Sequence, residues 1–424
     1  MRVFIEKIVH GGFGLARTEK EGVIFVPYTL AGEVVEVELM DINKNNLKLA
    51  KPLSFNVKSD SRIEPECRYF KECGGCHFQH MDYKSQKLAK FSILDDCLKR
   101  IGKIDYDKYE WVDAMDKFGY RNNFQFKVDE NGHLGFYKMF SNDIVPVDKC
   151  LLANENVNKV IKILNNLLSN DNRPDEIDIR VSPQNEIYLI FKFEKNKMKQ
   201  QMNSILKNIE HVAGIKVVNI NNDREESSFY YSDAMQFDIS EYKMVVSYDS
   251  FFQINYKVLN KIAGLINDLI NSIKELPSIM IELYGGVGTF SILNFYKKFD
   301  FVIMIEESHK SCDNALTNLE SNDIGNVSVW NVDVETGLAR IMRQDLDSVF
   351  IFMDPPRTGL TQPVIKSILR QKPEWILSLS CEPSTFARDL SFLVKEYEIV
   401  KMYVIDMFPQ TSHMETLTLL KRSC

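Results

Sequence analysis

From about residue 249 onward the chain alternates apolar runs of strand length with amphipathic runs of helix length, and few folds accommodate that texture. The strand runs are SIMIELYG, FVIMIE, VSVWNVD, SVFIFMDPP and WILSLSC, followed by MYVIDM and TLTLLKR. SHKSCDNALTNLESND and STFARDLSFLVKE are helical segments among them. Nearly uninterrupted apolar strands are buried on both faces, which requires helices above and below a parallel sheet. The pattern predicts a doubly wound α/β sheet whose ligands sit at the carboxyl ends of the strands. Only FPQTSHME joins the last two strands, too short for a helical crossover, so the final strand is predicted to be antiparallel.

The remainder of the 424 residues leaves room for further domains. Residues 1–58 carry RVFIEKIV, the GGFG turn at Gly11–Gly14, VIFVPYTL, EVVEVELMDI and NLKLAKPL. Short strands split by Gly and Asn predict a small barrel of the size used to bind oligonucleotides. Residues 59–78 hold a cysteine cluster. Within 79–111, YKSQKLAKFSILDDCLKRIGKI is helical in period and basic, with Lys84, Lys87, Lys90, Lys99, Arg100 and Lys103. Residues 112–248 are mostly strands, such as YRNNFQFKV, IDIRVS and EIYLIFKF, with one helix at NENVNKVIKILNNLL, which predicts an α+β unit.

Composition matters here for what it excludes. A hydrophobic fraction of 45% with 26% charged residues rules out disorder. No apolar run approaches the roughly 18 residues of a membrane span, and Glu6 and Lys7 break the apolar start, against a secretory signal. The expected compartment is the cytoplasm. A net charge of −7 argues against a sequence-blind nucleic-acid coat, yet lysines gather locally at 84–103 and 192–199. Binding at one site on a folded nucleic acid needs a patch and not a positive total.

Four places on the predicted sheet carry chemistry. Tyr284-Gly285-Gly286-Val287-Gly288-Thr289 follows the first strand and opens a helix, Glu306 ends the next strand 20 positions after Gly286, and Asp333 follows the third. Glycines admit a ligand close to backbone at a helix N-terminus, and an acid at this spacing suits a ribose diol. The phosphate-binding G-x-G-x-x-G form is absent, so S-adenosylmethionine fits better than NAD. The antiparallel last hairpin likewise points to the class I methyltransferase sheet. Asp354, in Met353-Asp354-Pro355-Pro356-Arg357, stands where substrate meets cofactor and is placed to accept a hydrogen bond from an NH of a planar base. Cys381 occupies a strand-to-helix turn, the setting of a nucleophile, where a helix N-terminus favours thiolate. Glu415, in the last hairpin, is positioned to reach the same crevice.

Cys67-x5-Cys73-x2-Cys76 forms the cluster, with Cys150 a distant fourth candidate and Cys97 its competitor. Four thiolates hold either zinc or an iron–sulfur cluster. Cys97 lies in a helical stretch and reads as core.

Together the motifs CRYFKECGGCHFQH, FFQIN at 251–255, LYGGVGTFS, MDPPRTGL, SLSCEPSTFARDL and SHMETLTLL, in that order, resemble the RNA 5-methyluridine methyltransferases, specifically the 23S rRNA uracil-C5 type with an N-terminal TRAM domain. The resemblance implies that Cys381 attacks C6 of a uracil, that C5 takes the methyl group, and that Glu415 removes the C5 proton. It implies that Asp354 holds the flipped base and that Gln253, Tyr284, Thr289, Glu306 and Asp333, with Asp354, line the S-adenosyl-L-methionine site. Cys67, Cys73, Cys76 and Cys150 would bind a [4Fe–4S] cluster. It also implies three domains: a TRAM barrel over 1–58, a central cluster-bearing domain over 59–78 and 112–248, and a catalytic domain over 79–111 and 249–424. The partner is RNA, with neither DNA nor membrane, and the chain is expected to be a monomer. This sequence departs from the family at Glu282-Leu283-Tyr284-Gly285-Gly286, where Asp-Leu-Tyr-Cys-Gly is usual, and has Thr289 where some members carry Asn.

Three other readings compete. The same chemistry acts on the tRNA T-loop in some cluster-bearing relatives. A radical S-adenosylmethionine enzyme with a TRAM domain would need C-x3-C-x2-C, which the C-x5-C-x2-C spacing does not supply. A non-catalytic RNA-binding or chaperone protein would have no use for Cys381 and Glu415 in one constellation.

Overall fold

The computed structural model describes residues 1–40, 47–169, 173–194, 208–221, 224–250, 255–342 and 348–423. The alternating texture becomes an eight-stranded sheet in the order Val327–Asn331, Phe301–Glu306, Ile279–Leu283, Val349–Met353, Trp375–Ser380, Glu415–Arg422, Tyr397–Ile405 and Tyr109–Val112. The first five strands run parallel, and Glu415–Arg422 runs antiparallel to both neighbours, as the short FPQTSHME connection requires. This is the class I methyltransferase order. Its eighth strand, Tyr109–Val112, was not legible as a strand and joins the edge in parallel with Tyr397–Ile405.

Alternate side chains along each strand enter two separate cores, as a pleated strand buried on both faces must. Met280, Phe350, Phe352, Leu377 and Leu379 pack on one face with the helix Tyr256–Asn271. Ile281, Ile351, Met353 and Ile376 pack on the other with the helices Tyr83–Cys97, Val334–Ile341, Gln362–Gln371 and Pro383–Leu393. Tyr83–Cys97 is capped by Asp82, whose Oδ1 accepts from the Ser85 N–H at 2.7 Å.

A seven-stranded sheet is built from Ile144–Pro146, Leu134–Tyr137, Asn123–Val128, Glu176–Val181, Ile187–Glu194, Val212–Asn221 and Arg224–Tyr230. The helix Glu155–Leu167 lays Val157, Val160, Ile161 and Leu164 on one face of it. Among the described residues the hairpin Ala234–Ile239/Tyr242–Ser247 pairs with no strand of either large sheet. Instead Asn314, Asn318 and Asn322, four residues apart, accept from the backbone N–H groups of Ser247, Val245 and Lys243 at 2.7, 2.6 and 2.9 Å. Helical spacing of four matches alternate residues of a strand, so three amides replace a neighbouring strand.

At the N-terminus two three-stranded sheets, Arg2–Phe4/Val34–Leu39/Ala50–Val57 and Lys7–Val9/Phe13–Thr18/Gly22–Val26, close around Val3, Ile5, Ala16, Ile24, Val26, Val35 and Val37. Among the described residues no helix is long and apolar enough to cross a membrane.

Candidate active site

In a parallel sheet every strand delivers its following loop to the same edge, and an antiparallel strand begins at that edge. Tyr284 follows Ile279–Leu283, Asp354 follows Val349–Met353, Cys381 follows Trp375–Ser380, and Glu415 opens the antiparallel Glu415–Arg422. Ser380 and Thr416 are register partners, which brings Cys381 and Glu415, the residues beside them, to the same end of the strand pair. The Thr416 hydroxyl donates to the Ser380 carbonyl at 3.3 Å and pins that register.

The charges of the cleft act on one another. Burial first, then Glu415, Asp354 and Glu382, raise the Cys381 thiol to about 12 against the opposing pull of Arg357. Glu415 is buried and pushed well above the carboxylate range, first by burial and then by Asp354, again opposed by Arg357. Burial lifts Asp354 to about 7. Two buried carboxyls, both raised, beside a thiol form a site that can move protons. Arg357, three residues after Asp354, is a cation that acts on both Cys381 and Glu415. His413 is also in the cleft, its ring edge-on to those of His77 and Phe408 at 5.9 and 6.2 Å. Burial first, then Arg357 and further neighbouring cations, lower His413 to about 3, so it is neutral at physiological pH.

The glycine turn is held from below and from the side. Tyr284 takes a left-handed φ of +61°, and Gly286 and Gly288 follow at +58° and +82°. The Gly286 N–H donates to Glu306 Oε2 at 2.9 Å and the Ser308 N–H to Oε1 at 2.8 Å, so Glu306 ties the turn to the loop beyond the next strand. Glu282 lies beneath, buried, raised to about 8 chiefly by burial and accepting from the Ser291 hydroxyl. The predicted helix after the turn is a short π-helical piece, Ser291–Phe295, closed by a Tyr296 N–H to Ser291 carbonyl bond of 3.0 Å. Thr289 is nearly buried within the turn. Gly285 is required by packing, because a Cβ there would stand 2.3 Å from Met304 Cγ.

Asp333 has a local structural task that its sequence position did not announce. It caps Val334–Ile341, with Oδ1 accepting from the Thr336 N–H at 2.8 Å and Oδ2 from the Thr336 hydroxyl at 2.6 Å. Gln253 lies outside the described residues.

Cys67, Cys73, Cys76 and Cys150 line one cavity of about 210 Å³, together with Gln79 and Arg121. Cys97 is buried in the core beside Ile93 and Leu94, as expected. Cys73 and Cys76 are raised by burial and by the neighbouring thiols, although the Gly75 N–H donates to Cys73 Sγ at 3.4 Å. Among the described residues no three His, Cys, Asp or Glu side chains converge on the spacing of a single metal ion.

The profile of the tRNA (uracil-5-)-methyltransferase family matches residues 82–423, and that of the TRAM domain matches residues 1–48. The chain belongs to that methyltransferase family. Two relatives, each named an uncharacterized RNA methyltransferase, are 32% identical: one of Aquifex aeolicus, over 99% of this chain and 98% of its own, and one of Caldanaerobacter subterraneus, over 99% and 97%. The Pyrococcus abyssi tRNA (uracil-54, C5)-methyltransferase, solved in complex with S-adenosyl-L-homocysteine, superposes with a TM-score of 0.74 at 23% identity. The superposition covers 99% of this chain and 100% of the other, a likeness of fold. As a uracil-5 RNA methyltransferase, the enzyme uses S-adenosylmethionine and acts on RNA.

The uracil-5-methyltransferase holds its basic residues differently from the sequence expectation. Lys90 is not on a solvated face: it is completely buried, donating to Asp406 Oδ1 at 2.6 Å and the Phe408 carbonyl at 3.0 Å. Lys99 pairs with Asp95 at 2.9 Å, Arg100 with Asp96 at 3.4 Å, and Lys192 with Glu176 and Asp178. The lysines at 195, 197 and 199 lie outside the described residues. The helix period hid Lys90 because a buried lysine and a surface lysine look identical in sequence.

Proposed function

We propose that the enzyme methylates C5 of a uracil in 23S rRNA through a covalent adduct between Cys381 and C6 of the base. The observation that carries this reading is the pair Cys381 and Glu415 at the mouth of the sheet, with Asp354 and Arg357 beside them. C5 of uracil is a poor nucleophile until C6 is saturated. The Cys381 thiol loses its proton to solvent and the thiolate bonds to C6, while the C5–C6 pi pair passes to C5 as an enolate with its charge on O4. C5 takes the methyl group from S-adenosylmethionine, whose sulfonium S–CH3 bond breaks to leave S-adenosylhomocysteine. Glu415, as carboxylate, takes the C5 proton, the C5–C6 double bond reforms, and the C6–S bond breaks to return the sulfur to Cys381. Arg357 favours the thiolate and the carboxylate, and Asp354, once ionised, accepts the N–H of a base drawn out of its stack. Tyr284, Thr289 and Glu306 fit the donor's cradle, since the positive-φ turn presents backbone there and Glu306 fixes it. Asp333 would meet the donor only with lone pairs left over from Thr336, and Gln253 is assigned on the FFQIN motif alone.

The four cysteines around one cavity fit a [4Fe–4S] cluster better than zinc. A single ion gathers its thiolates at about 2.3 Å, and these are instead spread round a chamber of about 210 Å³. Such a cluster would cross-link the 67–76 segment to Cys150 and do no redox work in methyl transfer.

The barrel and the cysteine cluster favour rRNA. A second reading, tRNA, is favoured by the family's description and by the tRNA substrate of the Pyrococcus abyssi enzyme. Mass-spectrometric mapping of 5-methyluridine in 23S rRNA and tRNA from a deletion strain decides between them: loss from 23S rRNA is expected, and loss from tRNA alone overturns the choice.

A further inference from the structure

We propose that the His10–Gly12 turn of the N-terminal barrel is part of the active site, and that His10 is a positioning residue acting through Glu382 on the turn that carries Cys381. His10 Nδ1 stands 3.3 Å from Glu382 Oε1. Glu382 follows Cys381 and caps the helix Pro383–Leu393: the same Oε1 accepts from the Ser384 hydroxyl at 3.0 Å and the Ser384 N–H at 3.3 Å. Its carboxylate is one of the charges that act on the Cys381 thiol. A partner that holds this carboxylate toward the helix N-terminus therefore governs both the turn's shape and the field at the sulfur.

The barrel is docked, not tethered. Ile8 and Leu30 belong to the same core as Ile93 and Leu94 of Tyr83–Cys97, Ser92 donates to the Ile8 carbonyl at 3.2 Å, and Lys7 pairs with Asp96. Gly12, at φ +80°, is wedged where a Cβ would stand 3.0 Å from His77 Cβ and from Phe78 Cε1, and 3.2 Å from Ser412 Cβ. Ser412 belongs to the loop that leads into Glu415. Only glycine lets the barrel backbone approach that loop, and the approach places His10 over the nucleophile's turn. An RNA-binding module on a linker would need neither the wedge nor the ion pair.

The inference rests on Cys381 as nucleophile. The test uses the full chain and its His10→Ala, His10→Gln, Glu382→Gln and His10→Ala/Glu382→Gln variants. It reads adduct formation with 5-fluorouridine RNA at saturation, methyl transfer, RNA KM and Tm. His10→Ala is expected to slow both rates about tenfold with RNA KM within about twofold, as misplacement of a reacting group does. His10→Gln, whose amide also donates, recovers most of the rate. In the Glu382→Gln background His10→Ala has no further effect. An unchanged rate at unchanged Tm, a loss confined to RNA KM, a His10→Gln variant as slow as His10→Ala, or additive effects in the double variant each overturns the proposal. Adduct formation by Cys381→Ala would instead overturn the nucleophile assignment, while the His10–Glu382 coupling would still be read in methyl transfer.

Discussion

Cys381 and Glu415 adjoin the Ser380–Thr416 register partners at one end of an antiparallel strand pair, and Glu415 is the largest of the charges that raise the Cys381 thiol. The pairing that ends at Ser380 and Thr416 holds the proposed nucleophile and the proposed base at one end of the same two strands, so both can serve a single base without either strand moving. Removing Glu415 then interrupts the reaction after methyl transfer. Glu415→Gln should lower turnover by about 10²–10⁴-fold and accumulate a denaturant-stable protein–RNA adduct on unmodified RNA. Cys381→Ala should form no adduct at all. Gel electrophoresis under denaturing conditions reads both, and a Glu415→Gln enzyme that turns over normally with no adduct would sink the assignment.

The cleft's acids make both arms of the pH profile predictable. Burial and neighbouring carboxyls favour the neutral Cys381 thiol, so near pH 7.5 it should alkylate with iodoacetamide more slowly than an exposed cysteine. The rate should climb about tenfold per pH unit below the thiol's pKa. Arg357→Gln, which removes the opposing cation, should slow it further. Asp354, raised to about 7, gains its acceptor form as pH rises. Methylation at low RNA concentration should therefore weaken as pH falls through 7, and in Asp354→Asn that acid limb should disappear. An acid limb that survives in Asp354→Asn assigns it to another group.

The cysteine cavity predicts a metal inventory. Protein purified without oxygen should carry about four irons per chain with broad visible absorption, and Cys73→Ser or Cys150→Ser should lose both. Stripping the iron with a chelator should lower the Tm, because it unties the 67–76 segment from Cys150. One zinc per chain in place of iron would rule the cluster out.

Much of this was legible because strands and helices announce themselves by period, and because the residues at strand ends fall on one edge by topology alone. The shared edge of Cys381, Asp354 and Glu415 was legible that way. Tyr109–Val112 was missed because YEWV is four residues long and its partner strand lies almost three hundred residues later, a pairing with no local signature. The capping task of Asp333 was not legible, because an N-cap aspartate and a ribose-binding aspartate occupy the same place after a strand. Glu382 and His10 were invisible as a pair, since one belongs to the barrel and the other to the nucleophile's turn, and only docking joins them.

Lys90 supplies the sharpest separation of stability from chemistry. Its side chain is fully buried against Asp406, which is also buried, and it donates as well to the Phe408 carbonyl, at the root of the loop that carries His413 and leads to Glu415. Asp406 Oδ2 has no partner among the described residues, so the pair is imperfectly satisfied and its net contribution is small compared with the cost of leaving one member alone. Lys90→Met should therefore destabilise the fold by about 3–5 kcal/mol, because it strands a buried carboxylate. Lys90→Met/Asp406→Leu should recover most of that loss in urea denaturation. The double variant removes the charge pair and also the Phe408 tether, so it should fold yet turn over more slowly than the wild type. If the double variant is as unstable as Lys90→Met, packing and not the stranded charge sets the cost.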